Sequence, residues 1–453
     1  TTAQASSLST DQLIALTTLQ ISALGAPDLA VLSTDQFTVL TTQQIGVLSA
    51  LQVQALTTQQ VAAMTSTQLL SFTTEQVVAL STSQVAVLSI SNVPLLSTEQ
   101  ITALELQDVQ ALTTAQVQSL SAGQVGVLTT AQVVALTSSQ AVALSTDQVV
   151  ALTLTQLPEL EAADFKQLTT SQVAALTTAQ IGVLGIAQVA ALSTLQASAL
   201  QLNQIASFTV DQVVALTTQD LAALSTEQIA ALKTTQIAVL TTAQAVALTT
   251  TQMASLSVPQ VRGLNTLNVV ALTTAQVASL TTTQVGGLTT SQIAAIETRD
   301  LQVFSTAQVV ALSAVQVKAL TPDQVVALTT TEVSALTPNQ VAALTTLQVP
   351  NLEIADLQVL STAQVISLTG MQLAALTTDQ VVALKTGQLQ AVTGTQIKSF
   401  TTAQIIALST GQVLVLTSAQ VGAFVTGQVA ALETRDLQVL STNQLTALTA
   451  TCL

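Results

Sequence analysis

Histidine, tryptophan and tyrosine are absent from this chain, and cysteine occurs once, at Cys452. Imidazole and multi-thiolate metal sites are therefore excluded, as are a histidine general base and any Ser–His or Cys–His pair. A disulfide framework needs more than one cysteine. Cys452 reads as a small, partly buried side chain, with end-to-end disulfide linkage as the alternative. There is no Gly-rich phosphate loop. Only eight of 453 residues are Lys or Arg, against 23 Asp or Glu, for a net charge of −15. Duplex DNA binding rests on many phosphate contacts, so nucleic acid is excluded as a partner. Mean hydropathy is +0.62, yet Ser, Thr and Gln interrupt every apolar stretch. No run approaches the roughly 18 apolar residues of a spanning helix, and membrane insertion is not expected. The hydroxyls are many, but none has a base to activate it, so the chain reads as no enzyme.

What is present is an eight-residue unit. Leu320-Thr321-Pro322-Asp323-Gln324-Val325-Val326-Ala327 is one copy, and with Leu called position a the units run from Leu8 to Leu448 as 56 copies without an insertion or deletion. Positions a and f are apolar throughout; e is Gln in 45 copies and b is Ser or Thr in 44. Ser/Thr-x-x-Gln followed by apolar residues is a capping box, in which two backbone donors at a helix start are satisfied reciprocally. Pro322 and Pro338 stand at c, the first helical position, where a missing N–H costs little. Nine acids lie at d, eight at e and five at b, while Lys166, Arg262, Lys318 and Lys398 lie at g. Acid first and base last suits a helix dipole. Each unit therefore predicts a helix of one to two turns, too short to stand alone and held by packing of f and the following a, three residues apart on one face.

The rival fold is a β-solenoid, since Thr and Val favour strands and Gln can form ladders. Against it, f, h and a do not alternate with period two, and turn residues are scarce, with 15 Gly and 7 Pro. Pro94, Pro158 and Pro350, all at g, fit neither fold. A fixed period implies a repeat architecture, and composition does not shift along the chain. The expectation is one continuous all-α repeat, residues 1–453: a solenoid of very short capped helices, cut from a longer array.

Departures from the consensus are themselves spaced. Asp replaces Gln at e in Asp28, Asp108, Asp164, Asp220, Asp300, Asp356 and Asp436, at gaps of seven or ten units. If seven units are two superhelical turns and ten are three, the coil has about 3.4 units, or about 27 residues, per turn. A 136-residue duplication is the competing account; it explains the recurrence of Glu297–Val303 as Glu433–Val439 but not the mixed gaps. Several of these octads also carry an acid at b. Such pairs offer Ca²⁺ its preferred oxygen ligands, which makes Glu105, Asp108, Glu161, Asp164, Glu353 and Asp356 candidate ligands for that cation. The other reading is a solvated face with acids at helix starts. Arg299 and Arg435, placed between the acids of two copies, favour it.

Leu320 to Ala327 resembles the opening of the repeat of TAL effectors, where similar residues begin a helix; the base-reading loop and second helix of that repeat are absent. The whole chain resembles, in composition, the long Thr/Ala/Val-rich repeat regions of bacterial cell-surface and secreted filament- or adhesin-type proteins. That resemblance implies a structural component of an extracellular filament, sheath or stalk. Self-association, end to end and lateral, is the expected partnership. The alternative function is an ice-binding or adhesive surface, because regular Thr arrays can match a water lattice.

Overall fold

The computed structural model describes residues 1–448, so Cys452 lies outside the described residues. It is all-helical: 53 short α-helices and three 3₁₀ turns follow one another, one per octad, with no strand among the described residues. The chain divides into two compact units, Thr1–Ala231 and Leu232–Leu453. Each is, taken by itself, a solenoid of the same construction.

The octad explains its own boundaries. In Thr74–Val78, Thr73 at b is the N-cap, extended at φ −72° and ψ 161°, and Gln76 at e closes the capping box. In Pro322–Ala327 the proline begins the helix directly after its cap Thr321, and Leu328 at a leaves it with φ −62° and ψ 135°. Position a is therefore an extended hinge between helices, and the return to extended backbone once per octad makes a coil out of the chain. The three prolines that fit neither fold occupy the three 3₁₀ turns Val93–Leu95, Leu157–Glu159 and Val349–Asn351. Proline at g has no N–H for an α-helical bond and crowds the carbonyl four residues back, so these octads tighten and the period survives.

Helices three octads apart pack together: Ala26–Ala30 on Ala50–Ala55 in the first unit, Thr234–Ala238 on Val258–Gly263 in the second. Close approach of the turns constrains Gly287. A Cβ on Gly287 would lie 2.3 Å from Val258 Cγ1. Side-chain hydrogen bonds between turns join residues 25 to 31 apart in sequence. They bracket the 27 residues per turn expected from the spacing of the aspartates.

The core is wider than the apolar rows. Positions a and f are buried, as expected: Leu272 is 2% exposed and Val325 0%. Position e is buried with them. Gln76, Gln212 and Gln324 are between 1 and 3% exposed. The solvated acidic face is overturned by the same geometry, since Asp108, Asp220, Asp300, Asp356 and Asp436 are buried too. Beyond the first turns an e side chain points at the previous turn, and there aspartate is shielded from water as glutamine is.

Candidate functional site

Glutamine at e uses every polar atom it has. Gln76 Oε1 accepts from the Thr73 backbone N–H at 2.9 Å, while Thr73 Oγ1 accepts from the Gln76 N–H at 3.2 Å. Its amide nitrogen points the other way and donates to the carbonyls of Ile45 and Leu48, both at 2.8 Å, on the preceding turn. In the second unit Gln324 takes the Thr321 N–H at 2.8 Å and donates to Ile293 and Ile296 at 2.8 and 2.7 Å. The acceptors are most often an f and an a carbonyl, with a g carbonyl beside or in place of f in some octads such as those of Gln308 and Gln396, all at a helix end, where carbonyls lack intrahelical donors. One side chain thus caps the start of its own helix and the end of a helix one turn back. That double cap is how helices of four to six residues persist. It also makes buried glutamine tolerable, because buried polar groups must be hydrogen-bonded.

Gln12 and Gln20, in the first turn, show the two halves separately. Both keep the capping box, with Oε1 to the N–H of Ser9 at 2.9 Å and of Thr17 at 2.8 Å, and both are exposed. Burial and the cross-turn bonds arrive together further along the chain.

Shorter or charged residues at e fill only part of this role. Asn92 reaches one carbonyl, Met64, at 3.0 Å, and its oxygen accepts from Ser66 Oγ at 2.7 Å. Asn268 reaches Leu240 at 2.9 Å and leaves Oδ1 without a partner. An acid has no donor at all unless it is protonated. The aspartates meet the lack in different ways. Asp164 accepts a short hydrogen bond from Ser138 Oγ, Asp220 accepts from Thr217 Oγ1 at 2.6 Å, and Asp300 accepts from Thr274 Oγ1 at 2.7 Å. Arg299 Nε pairs with Glu297 at 2.8 Å and stands 3.4 Å from Asp300, and Arg435 repeats the arrangement with Glu433 at 2.6 Å and Asp436 at 3.8 Å.

Asp108 and Asp356 have no such relief, and Glu332 has it at one oxygen alone, from Thr329 Oγ1 at 2.8 Å. Asp108 Oδ2, Glu332 Oε1 and Asp356 Oδ2 are buried without a hydrogen-bond partner. Burial pushes the Asp108 carboxyl up to about 6, against the pull of the Glu105 backbone N–H and with the Glu105 charge adding to the rise. Asp356 is likewise raised to about 6, first by burial and then by the charges of Glu353 and Glu332. Burial raises Glu332 as well. Two acids at d, Glu99 and Glu227, shift the other way: Glu99, exposed, is held below its usual range by its own backbone N–H and the hydroxyls of Ser97 and Thr98.

The candidate calcium ligands do not converge. Glu105, Glu161 and Glu353 are exposed at helix N-caps while their partners Asp108, Asp164 and Asp356 are buried beneath them. Among the described residues no group of three His, Cys, Asp or Glu side chains is placed to hold a metal ion. Likewise among the described residues, no helix is long and apolar enough to cross a membrane.

The role of the glutamine amide nitrogen is the feature that sequence reasoning missed. A signal existed: a capping box accepts Glu as readily as Gln, yet Glu occurs at e once, at Glu332.

No curated protein matches the chain. The family model described as the ALTTAQ repeat matches at residues 53–90, 101–138, 157–194, 213–250, 221–258, 259–290, 293–330, 349–386 and 381–418. All of these matches but one begin at an f position, so the register of that family is the register of the octads. Together they cover more than half of the sequence, and the chain belongs to the ALTTAQ-repeat family.

Proposed function

We propose that the protein is a structural element, a repetitive component of an extracellular filament, sheath or surface stalk, and that it carries out no catalysis. The observation that supports this reading most is the glutamine ladder. In most octads the glutamine at e bonds turn to turn, from Gln36 to Gln228 in the first unit and from Gln260 to Gln444 in the second. Such bonding stiffens a coil along its axis and engages the glutamines of the core in holding the turns together. The outer surface suits self-association. It is sparsely charged, and exposed apolar residues recur at g and d, among them Val78, Val150, Val326, Ile406, Leu195 and Leu347. Scattered exposed apolar groups are ordinary, but their recurrence along a repeat gives like surfaces a chance to meet in register.

Electron microscopy and light scattering of the 453-residue chain at micromolar concentration test the proposal. Filaments or laterally associated bundles that survive added salt are expected, because screening acts on charges and few are present. A monodisperse monomer with no assemblies under the same conditions would count against it.

A further inference from the structure

Five octads leave a buried carboxyl oxygen at e without a partner, an acceptor where the coil requires a donor; Asp300 and Asp436 have an arginine beside them, and the other three acids have none paired with them among the described residues. At Asp108, Glu332 and Asp356 the residue at e is buried, one carboxyl oxygen has no partner, and the position faces the preceding turn. By the register of every glutamine around them, the carbonyls opposite are those of Val77 and Leu80 for Asp108, of Leu301 and Phe304 for Glu332, and of Val325 and Leu328 for Asp356. A carboxylate set against carbonyl oxygens is repelled by them, and burial denies it water. A carboxylic acid is not: its hydroxyl is a donor and replaces one of the two N–H bonds of glutamine.

We infer that Asp108, Glu332 and Asp356 are proton-operated latches: each takes a proton from solvent and donates it in a hydrogen bond to the turn below, and each lets the adjacent turns part when the proton leaves.

The surrounding charges oppose ionisation. The helix Leu106–Ala111, which carries Asp108, packs against Thr82–Val85 and Thr130–Val134, neither of which has a charged residue. Glu105 stands at the N-cap of the Asp108 helix, and Glu75 lines one cleft with Glu105, Val78 and Leu80. Thr330–Ala335, which carries Glu332, packs against the uncharged Thr306–Ala311 and against Ile354–Val359, which carries Asp356. Glu353 caps the latter helix. Below Glu332 stand Arg299 and Asp300, with the arginine engaged by Glu297 and Asp300. Ile354–Val359 also packs against Thr378–Ala383, whose charged residue is Asp379, and Asp323 stands on the helix below. Glu332 and Asp356, in successive turns, raise each other's cost of ionisation. The pKa shifts agree in direction: Asp108 and Asp356 are raised to about 6, and Glu332 is raised. A folded-state pKa above the unfolded one means that stability is fully present below the unfolded carboxylate range, near pH 4, and is lost as pH rises through about 6.

Backbone hydrogen–deuterium exchange of the full chain at pH 5 and pH 7.5, corrected for intrinsic rates, tests the inference. It compares the native sequence with the triple variant Asp108→Gln, Glu332→Gln, Asp356→Gln. In the native chain, residues 77–80, 105–112, 329–336 and 353–360 should lose protection by about tenfold or more at the higher pH, while glutamine-only octads such as 209–216 hold theirs. In the triple variant the same segments should hold theirs at both pH values. Equal protection of the native segments at both pH values, or a pH dependence retained in the variant, would overturn the inference. Carbon-13 carboxyl titration of the native chain gives a second reading that does not depend on the variant's folding. Resonances of Asp108 and Asp356 titrating near pH 6, and one of Glu332 titrating above the usual carboxylate range, each lost in its own Asn or Gln variant, support the latch; all carboxyls titrating near pH 4 refute it.

Discussion

Gln324 and Glu332 occupy the same position in adjacent octads and differ by one atom, an amide nitrogen against a carboxyl oxygen. Both hold their own helix start. Thr321 donates its N–H to Gln324 at 2.8 Å, and Thr329 donates its N–H and its hydroxyl to Glu332 at 2.7 and 2.8 Å. Beyond that the two part. Gln324 reaches two carbonyls of the preceding turn, whereas the second oxygen of Glu332 is buried with no partner. The difference separates two tasks that a capping box conflates: starting a helix, which either residue does, and bonding one turn to the next, which needs the amide. Most octads have both; that of Glu332 has the first alone, and those of Asp108 and Asp356 lack the capping box as well.

The comparison can be broken most severely by charging the apolar rows that both octads share. Leu272→Asp puts an unpaired charge into a fully buried a position. It is expected to cost several kcal/mol, seen as a new proteolytic opening around residues 264–280. Ala275→Asp, at an exposed d position three residues away, should change stability by less than about 0.5 kcal/mol. Equal tolerance of the two would refute the buried a row. Next in size, Gln324→Glu converts the bonded octad into the unbonded kind. At pH 7.5 it should cost about 2–4 kcal/mol of local opening free energy, from two lost bonds and a buried carboxylate, and less at pH 5. Hydrogen exchange at residues 293–296 and 321–328 reads both values.

The reverse exchange sharpens the comparison. Glu332→Gln should stabilise its octad by about 1–2 kcal/mol at pH 7.5 and by far less near pH 4. The sign follows from the raised carboxyl. The native octad keeps its stability below the unfolded carboxylate pKa and loses it as pH rises through the folded one, so the gain from glutamine grows with pH. The smallest effect concerns the 3₁₀ octads. Pro350→Ala restores an N–H at g and lets Val349–Asn351 relax toward an α-helix; a change within about 1 kcal/mol is expected, with slower exchange of the new amide as its mark.

Much of this was legible in the residues. The capping box, the c-position prolines and the apolar rows at a and f fix helices of the observed length and phase, and the spacing of seven aspartates gave a turn length that the cross-turn bonds bracket. What the pattern concealed is where e points. Glutamine is usually a surface residue, and its Oε1 alone explains the capping motif, so nothing in a single octad demands a second use. The same blindness turned buried aspartates into a solvated stripe. Only the near-exclusion of Glu from e carries the information, because a cap accepts either residue and a cross-turn donor does not. The 3₁₀ turns were legible as a conflict, three prolines inside helices, but their resolution needed the backbone.

The central claim is that glutamine at e joins turns as well as starting helices, and one paired measurement tests it most directly. Gln12→Glu and Gln76→Glu make the same chemical change at an exposed position without cross-turn bonds and at a buried one with two. Hydrogen exchange of the full chain at pH 7.5 should show faster opening of residues 45–48 and 73–80 in the second variant. Around residues 9–16 the first should leave protection unchanged. Equal effects at the two positions, whether both large or both negligible, would contradict it.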